Sequence, residues 1–272
     1  RPTAKARMPQ PGVMESSMDE PLDLSMLDEI QLYDDSDDPE GAASERRKKR
    51  EAIEVLTHYG VFEDISTEAA EAEGLKYIRA RWEHQQRPGA ESKWRYVAQE
   101  FAWQEKRDDC FAASSTAQTS RTVDVLAAKE GWATFGADCV KAYYQAKQKE
   151  LVCVKPPREY LELRAQQGLS TDVVWKLHRM LPGQRIAGAG WVDDASERLQ
   201  KEGFERCQAL PQFFWHRADR VLIEMHMDDF HGGGPPNKVD KHVSRLREVF
   251  DLKATDTFTE GRYSHLRRDR LR

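Results

Sequence analysis

Two adjacent carboxylates at the end of an apolar run are the first feature of this sequence that could carry chemistry. Residues 221–232 read VLIEMHMDDFHG, so Asp228 and Asp229 follow a strand-like VLIEM and precede Gly232, Gly233 and Gly234. That order predicts a hairpin with both carboxylates at its tip. The same dipeptide recurs at 34–35, 37–38, 108–109 and 193–194, so an ordinary surface turn is the plainer reading of the pair. Asp138, in ATFGADCVKAYYQA, ends a short β-like run and opens a helix, where its alternative role is a helix N-cap. If that strand lies beside the hairpin, Asp138, Asp228 and Asp229 converge. Clustered carboxylates without countercharge call for a divalent cation. Oxygen-only ligands suit Mg²⁺ or Mn²⁺, and two such ions roughly 3.5–4 Å apart stabilise the attacking and leaving oxygens of phosphoryl transfer. His226 and His231 flank the pair at i, i+5 but lack further nearby His or Cys, which favours structural or surface histidines over a zinc site.

Placing these residues is the task of an alternation of short strands and helices. LKYIRARWEH and SKWRYVAQEFAW read as two strands joined across QQRPGAE. A helix is expected over TSRTVDVLAAKEGW, with Thr119 or Ser120 as N-cap and Gly131 as stop. The strand ATFGADCV, a helix from about Lys141, and the strands ELVCVKPP and VVWKLH follow. AGWVDDASERLQKEGF reads as an amphipathic helix and PQFFWHRADRVLIEMHMDD as a hairpin turning at Arg217–Asp219, before a last helix NKVDKHVSRLREVF. The elements alternate without a strict βα rhythm or a Gly-rich turn, which makes the class α+β.

Composition sets the bounds. The chain has 272 residues, 39% apolar and 33% charged, with no run near the roughly 18 apolar residues of a membrane span. It begins with Arg1 and is expected to be a fragment. The scattered Cys110, Cys139, Cys153 and Cys207 lack CxxC spacing, which points to a reducing, intracellular setting and not to secretion. Residues 8–45 hold twelve acidic and no basic side chains; removing those twelve from the 47 acidic residues leaves 42 basic against 35 acidic in the rest. A basic body beside an acidic leader suits contact with polyanions, and equally an ordinary soluble domain. Residues 1–45 are expected to be disordered, including the short LDLSMLDEIQLY patch, for which folding on a partner is the less favoured alternative. The run RRKKR at 46–50 opens a helix, and 46–73 reads as a basic linker and helix.

Residues 74–262 resemble the reverse transcriptase of copia-type long-terminal-repeat retrotransposons. The family's D-x-x-x-A-[FY] strand is similar to Asp138, Cys139, Val140, Lys141, Ala142 and Tyr143, and its x-x-D-D hairpin to His226, Met227, Asp228 and Asp229. VVWKLHRMLPGQRIAGAGW resembles V-W-K-L followed by Y-G-L-K-Q-A-P-R-A-W, and K-x-R-x-V-A-x-x-F matches Lys93, Arg95, Val97, Ala98 and Phe101. The resemblance implies the fingers and palm of a right-hand polymerase, with the thumb missing or truncated. It implies RNA-directed DNA synthesis on a template–primer from dNTPs, with other Pol polyprotein domains as partners and no membrane. Asp138, Asp228 and Asp229 would hold two Mg²⁺ ions (or Mn²⁺), and Lys93 and Arg95 would meet the triphosphate. Tyr143 would exclude a ribose 2′-hydroxyl, Gln184 would belong to the template-contacting tract, and the helix after Asp138 would aim backbone N–H groups at phosphates. Without the resemblance, Tyr143 reads as a core aromatic and Lys93 and Arg95 as a solvated strand face.

This sequence departs from the family pattern. Pro182, Ile186, Gly188 and Ala189 stand at the tract's tyrosine, glutamine, proline and arginine positions, and Gln184 lies two residues early. His226 replaces an apolar or aromatic residue, and CFAASST at 110–116 replaces a TFAPV-like segment. A silent relic or nucleic-acid-binding module of the same fold is therefore the runner-up. A metal-dependent phosphohydrolase using the same carboxylates is the third reading, disfavoured by the order of the motifs. Residues 263–272 read as a basic tail.

Overall fold

In the computed structural model, the described residues are 39–86, 92–101, 106–112, 117–260, 262–265 and 268–271. The patch at 22–33, the loop core 87–91 and the altered stretch 113–116 lie outside them, as does nearly all of the acidic leader. Residues 43–272 form one compact unit.

Helix α1 spans Pro39–His58 and so begins inside the stretch expected to be leader. Proline is tolerated in the first turn of a helix, where its missing N–H has no partner to lose. The i, i+4 pairs Glu45–Lys49 and Arg47–Glu51 then support the turns that carry the basic run. That run sits in mid-helix and is used internally: Lys49 bridges to Glu159 and lies 4.6 Å over the Trp94 ring. Strand β1 (Phe62–Ile65) and helix α2 (Thr67–Ala72) follow, the latter capped by the Ser66 hydroxyl accepting from Ala69 N–H. The expected first strand is split into β2 (Lys76–Ile78) and β3 (Ala80–Gln85), and β3 pairs antiparallel with β4 (Lys93–Ala98).

Helix α3 (Ala117–Glu130) starts two residues before the expected Thr119, so neither Thr119 nor Ser120 is its cap. Strand β5 (Ala133–Cys139) carries Asp138, and α4 (Ala142–Gln145) is a single turn where a longer helix was expected. Next come β6 (Val152–Val154), α5 (Arg158–Gln166), β7 (Val174–Leu177) and α6 (Ala187–Lys201). The chain continues through β8 (Glu205–Arg206), β9 (Phe213–His216), β10 (Val221–His226) and β11 (Asp229–Gly234). It closes with α7 (Pro236–Val249), β12 (Leu252–Ala254) and the paired strands β13 (Arg262–His265) and β14 (Arg268–Leu271).

Two sheets organise these elements: a four-stranded one ordered β1-β7-β6-β2 and a six-stranded one ordered β12-β5-β11-β10-β9-β8. Period-two alternation gives the larger sheet two faces. Phe135, Ala137, Cys139, Val221, Ile223, Met225 and Phe230 bury one face against Trp191, Val192 and Leu199 of α6 and Val239 and Leu246 of α7. Leu222 and Phe213 cover the other with Val123 and Ala127 of α3. The smaller sheet buries Val152, Val154, Trp175 and Leu177 against Ile53 and Leu56 of α1 and Tyr96 of β4. No helix among the described residues is long and apolar enough to cross a membrane.

Candidate active site

The hairpin expected at residues 221–234 closes through a two-residue loop. His226 pairs with Asp229, leaving Met227 and Asp228 as the turn. Met227 has φ 55° and Asp228 does not share a positive φ, the signature of a II′ turn, whose twist matches that of the flanking strands. Glycine is the usual residue at that first position; a methionine there is held by its surroundings. Both turn carbonyls are fixed: Met227 O accepts from Trp191 Nε1 at 2.8 Å and Asp228 O from Cys139 N at 2.8 Å. Helix α6 and strand β5 thus grip the tip from two sides.

The register then sets the chemistry. Asp229 stands directly opposite Asp138, and Asp138 in turn opposes Lys253 of β12. With His226 across from Asp229, one row runs Lys253, Asp138, Asp229, His226 over four neighbouring strands on a single face. Directly opposed residues have Cβ atoms roughly 4.5–5.5 Å apart, a spacing at which like charges repel. Burial, then Asp228, then Asp138 push the Asp229 carboxyl up to about 6. Burial and Asp228 also raise Asp138, against the opposing pull of Lys253. Carboxylates that raise one another's proton affinity would bind a divalent cation in the proton's place.

Asp228 also lines a cleft with Arg95, Lys141, Tyr143, Pro182, Trp191 and Met227 among its walls. Arg95 and Lys93 sit at i, i+2 on one face of β4, while Trp94 and Tyr96 point the other way, Trp94 stacked on His84 and Tyr96 in the core. Lys141, at φ 52°, caps the one-turn α4; its ammonium is weakened by burial and by the charges of Arg95 and Lys93. None of the three cations has an ion-pair partner among the described residues, and two of them, Arg95 and Lys141, line the same cleft as Asp228. Lys141 was not singled out from the sequence; its left-handed backbone, which turns it into the cleft, has no local sequence signal. Tyr143 is half-buried, lines the cleft, and packs against both main cores, so it is at once wall and core.

Two expectations are corrected here. The helix after Asp138 is a single turn, too short to present a row of free N–H groups. Gln184 is buried, and its Oε1 accepts from Leu181 N at 2.6 Å; it folds into its own loop and does not line the cleft. The loop it stabilises does position the site. Pro182 O accepts from Ala98 N at 2.7 Å, and a Cβ on Gly183 (φ 89°) would fall 2.0 Å from Ala98 O. Only glycine lets this loop approach the end of β4, the strand that carries Arg95, so closely. His231 is fully buried between Glu224 (3.7 Å) and Asp124 (3.4 Å), the structural role expected of it.

Comparison with known proteins returned no match among curated proteins. Among solved structures the chain is similar to telomerase from Candida albicans in complex with the TWJ fragment of telomeric RNA, at 9% identity and TM-score 0.45, over 80% of this chain and 47% of that one. It is likewise similar to apo telomerase from Candida tropicalis truncated from its C-terminal domain, at 9% identity and TM-score 0.45, over 83% and 58%. The chain spans about half the length of these structures. The family model for reverse transcriptase (RNA-dependent DNA polymerase) matches residues 67–260, seven residues earlier at its start than the motifs suggested. The chain belongs to the reverse transcriptase family, with the α+β fingers-and-palm fold of that family.

Proposed function

We propose that this chain is the RNA-directed DNA polymerase domain of a copia-type element, joining dNTPs to a primer by two-metal nucleotidyl transfer. The observation that carries the proposal is the row of Asp138 and Asp229 with Asp228 at the adjoining tip, bordering a cleft whose other wall is cationic. The donor set fits Mg²⁺: it consists of carboxylate oxygens, with Lys253 as the one neighbouring cation that acts on Asp138. When bound there, such ions would neutralise charge on the attacking and departing oxygens. The chain's own groups do the positioning. Arg95, Lys93 and Lys141 take up triphosphate charge, Arg95 by paired N–H donors suited to phosphate. Tyr143 closes the sugar side of the cleft, and Trp191 holds the tip through the Met227 carbonyl. Template–primer binding would draw on basic residues of the body, with other Pol polyprotein domains as further partners.

A second reading, binding without catalysis, is favoured by two observations: Gln184 is sequestered in its loop, and Pro182 stands on the cleft wall at the family tract's tyrosine position. Primer extension on poly(rA)·oligo(dT) with Mg²⁺ separates the two. The polymerase reading expects template-dependent extension that Asp228→Asn lowers at least about 100-fold, beyond the 10–100-fold typical of outer-shell partners. Template–primer affinity should survive that change, because phosphate contacts dominate it. Binding of the duplex with no extension would establish the second reading.

A further inference from the structure

At the far end of β10 from the catalytic tip, the β9–β10 turn meets α7 through three metal-ligating side chains. His216, Asp219 and His242 each offer one donor atom, all within 4.8 Å of one another. We propose that these three residues form a binding site for a Zn²⁺-class transition-metal ion that fastens the turn to α7. A six-residue strand of roughly 3.3 Å per residue separates this cluster from Asp228, so it is independent of the carboxylate row.

The ligand chemistry differs from that of the catalytic carboxylates. Two imidazoles and one carboxylate suit zinc, which takes His nitrogen and Asp oxygen at roughly 2.0–2.2 Å in tetrahedral array, whereas Mg²⁺ prefers oxygen. Bonds of that length at the tetrahedral angle put neighbouring donors roughly 3.3 Å apart. The observed spacings bracket this: His242 Nε2 to Asp219 Oδ2 is 2.9 Å, and His216 Nδ1 to the same oxygen is 3.6 Å. Three protein ligands leave a fourth position for water.

The surroundings hold the donors in place. Lys238 Nζ binds the other carboxylate oxygen, Oδ1, at 2.9 Å, fixing the Asp219 side chain with Oδ2 turned to the imidazoles. Lys241 lies 3.9 Å from Oδ2, but its side chain is 71% exposed and turns away at little cost. Phe204 meets both imidazoles edge-on, with centroids 5.3 and 5.2 Å away, and the two imidazoles lie 4.5 Å apart. A Cβ at Gly203 (φ 88°) would come within 2.9 Å of His216 Nε2, so a glycine is what admits the ring edge there. His216 Nδ1 already accepts from Asp219 N at 3.2 Å, which keeps a lone pair on the nitrogen that faces the carboxylate. A metal would replace this long contact.

The test is Co²⁺ titration of the chelator-treated full chain, read by visible absorption, followed by Zn²⁺ competition. Four-coordinate Co²⁺ with nitrogen ligands absorbs far more strongly than the six-coordinate, oxygen-ligated ion of the carboxylate row. The proposal expects a band that saturates at one equivalent and is displaced by Zn²⁺. His216→Gln and His242→Gln should each weaken binding at least 10-fold, and Asp228→Asn should leave the band intact. Zn²⁺ should also raise the melting temperature of the unaltered chain and not that of His242→Gln. Asp219→Asn, which preserves side-chain volume, serves if a histidine variant fails to fold, and should lose the band as well. A band that is absent, that persists without His216 and His242, or that disappears in Asp228→Asn overturns the proposal.

Discussion

Trp191 does more for the candidate site than its distance from the carboxylates in sequence suggests. Its indole N–H holds the Met227 carbonyl, and its fully buried ring packs against Phe250 at 6.0 Å. Trp191→Phe keeps an aromatic in the core and removes the side-chain donor to Met227 O. It should cost about 1–3 kcal/mol in urea unfolding, the cost of leaving a buried acceptor unpaired, and lower primer extension more than it lowers template–primer binding. Equal losses in both would make Trp191 a residue of general stability. Tyr143 answers a different question. It is a half-buried wall of the cleft that contacts both cores, so Tyr143→Ala should show two effects at once. Ribonucleotide use should rise relative to deoxynucleotide use, and stability should fall by less than the roughly 3–5 kcal/mol of a fully buried aromatic. A full-sized stability loss with unchanged sugar preference would leave Tyr143 only its core role.

Among the elements, the loop at 181–184, between β7 and α6, packs on the end of β4. Gly183 presses its backbone to within a Cβ's reach of Ala98 O while Pro182 O accepts the Ala98 N–H. Gly183→Ala adds a carbon where φ is 89° and where the neighbour is backbone, which cannot swing aside. The expected cost is about 3 kcal/mol or more, summing a left-handed penalty and overpacking, with the apparent KM for dNTP rising because Arg95 is displaced with β4. Unchanged KM at reduced stability would uncouple the loop from the cleft. Elements of this kind also mark where sequence reading stopped. The strand bearing Asp138 and the hairpin carrying Asp228 and Asp229 were legible because apolar runs end abruptly at acids; which residues face each other across the strands was not. Strand β1, FEDI, was hidden because two of its four residues are acidic and it is recognised only through pairing with β7. Helix α2 carried a readable Ser66 cap but only six residues, and α5 has no buried residue to set an apolar period. The convergence of Arg95 with Lys141 depends on a contact between distant segments, which no local pattern encodes.

For the whole molecule, the carboxylate row is a local cost that the rest of the fold sustains. Asp229 titrates near 6 in the folded chain against an ordinary 3.8, because burial, Asp228 and Asp138 all oppose its charge. The native state therefore binds more protons than the unfolded state between those values. The Asp229 contribution to stability falls as pH rises through that window, and its full cost applies above pH 6. A carboxylate held low by its donors acts in the opposite sense: Asp219, bound first by Lys238 and then by His242, loses its contribution only as pH drops below the usual carboxylate range. Comparing the unaltered chain with Asp229→Asn isolates the first effect. In chelator the variant should be the more stable of the two by on the order of 1 kcal/mol above pH 6, after solvent screening of a half-exposed group, and the two should converge near pH 4. Adding Mg²⁺ should stabilise the unaltered chain above pH 6 and do less near pH 4, where protons compete for the same oxygens. Urea midpoints at both pH values, with and without Mg²⁺, measure all of these differences on one pair of proteins. If the variant were less stable than the unaltered chain at pH 7 in chelator, Asp229 would be an acceptor the fold depends on and not a charge held for a cation.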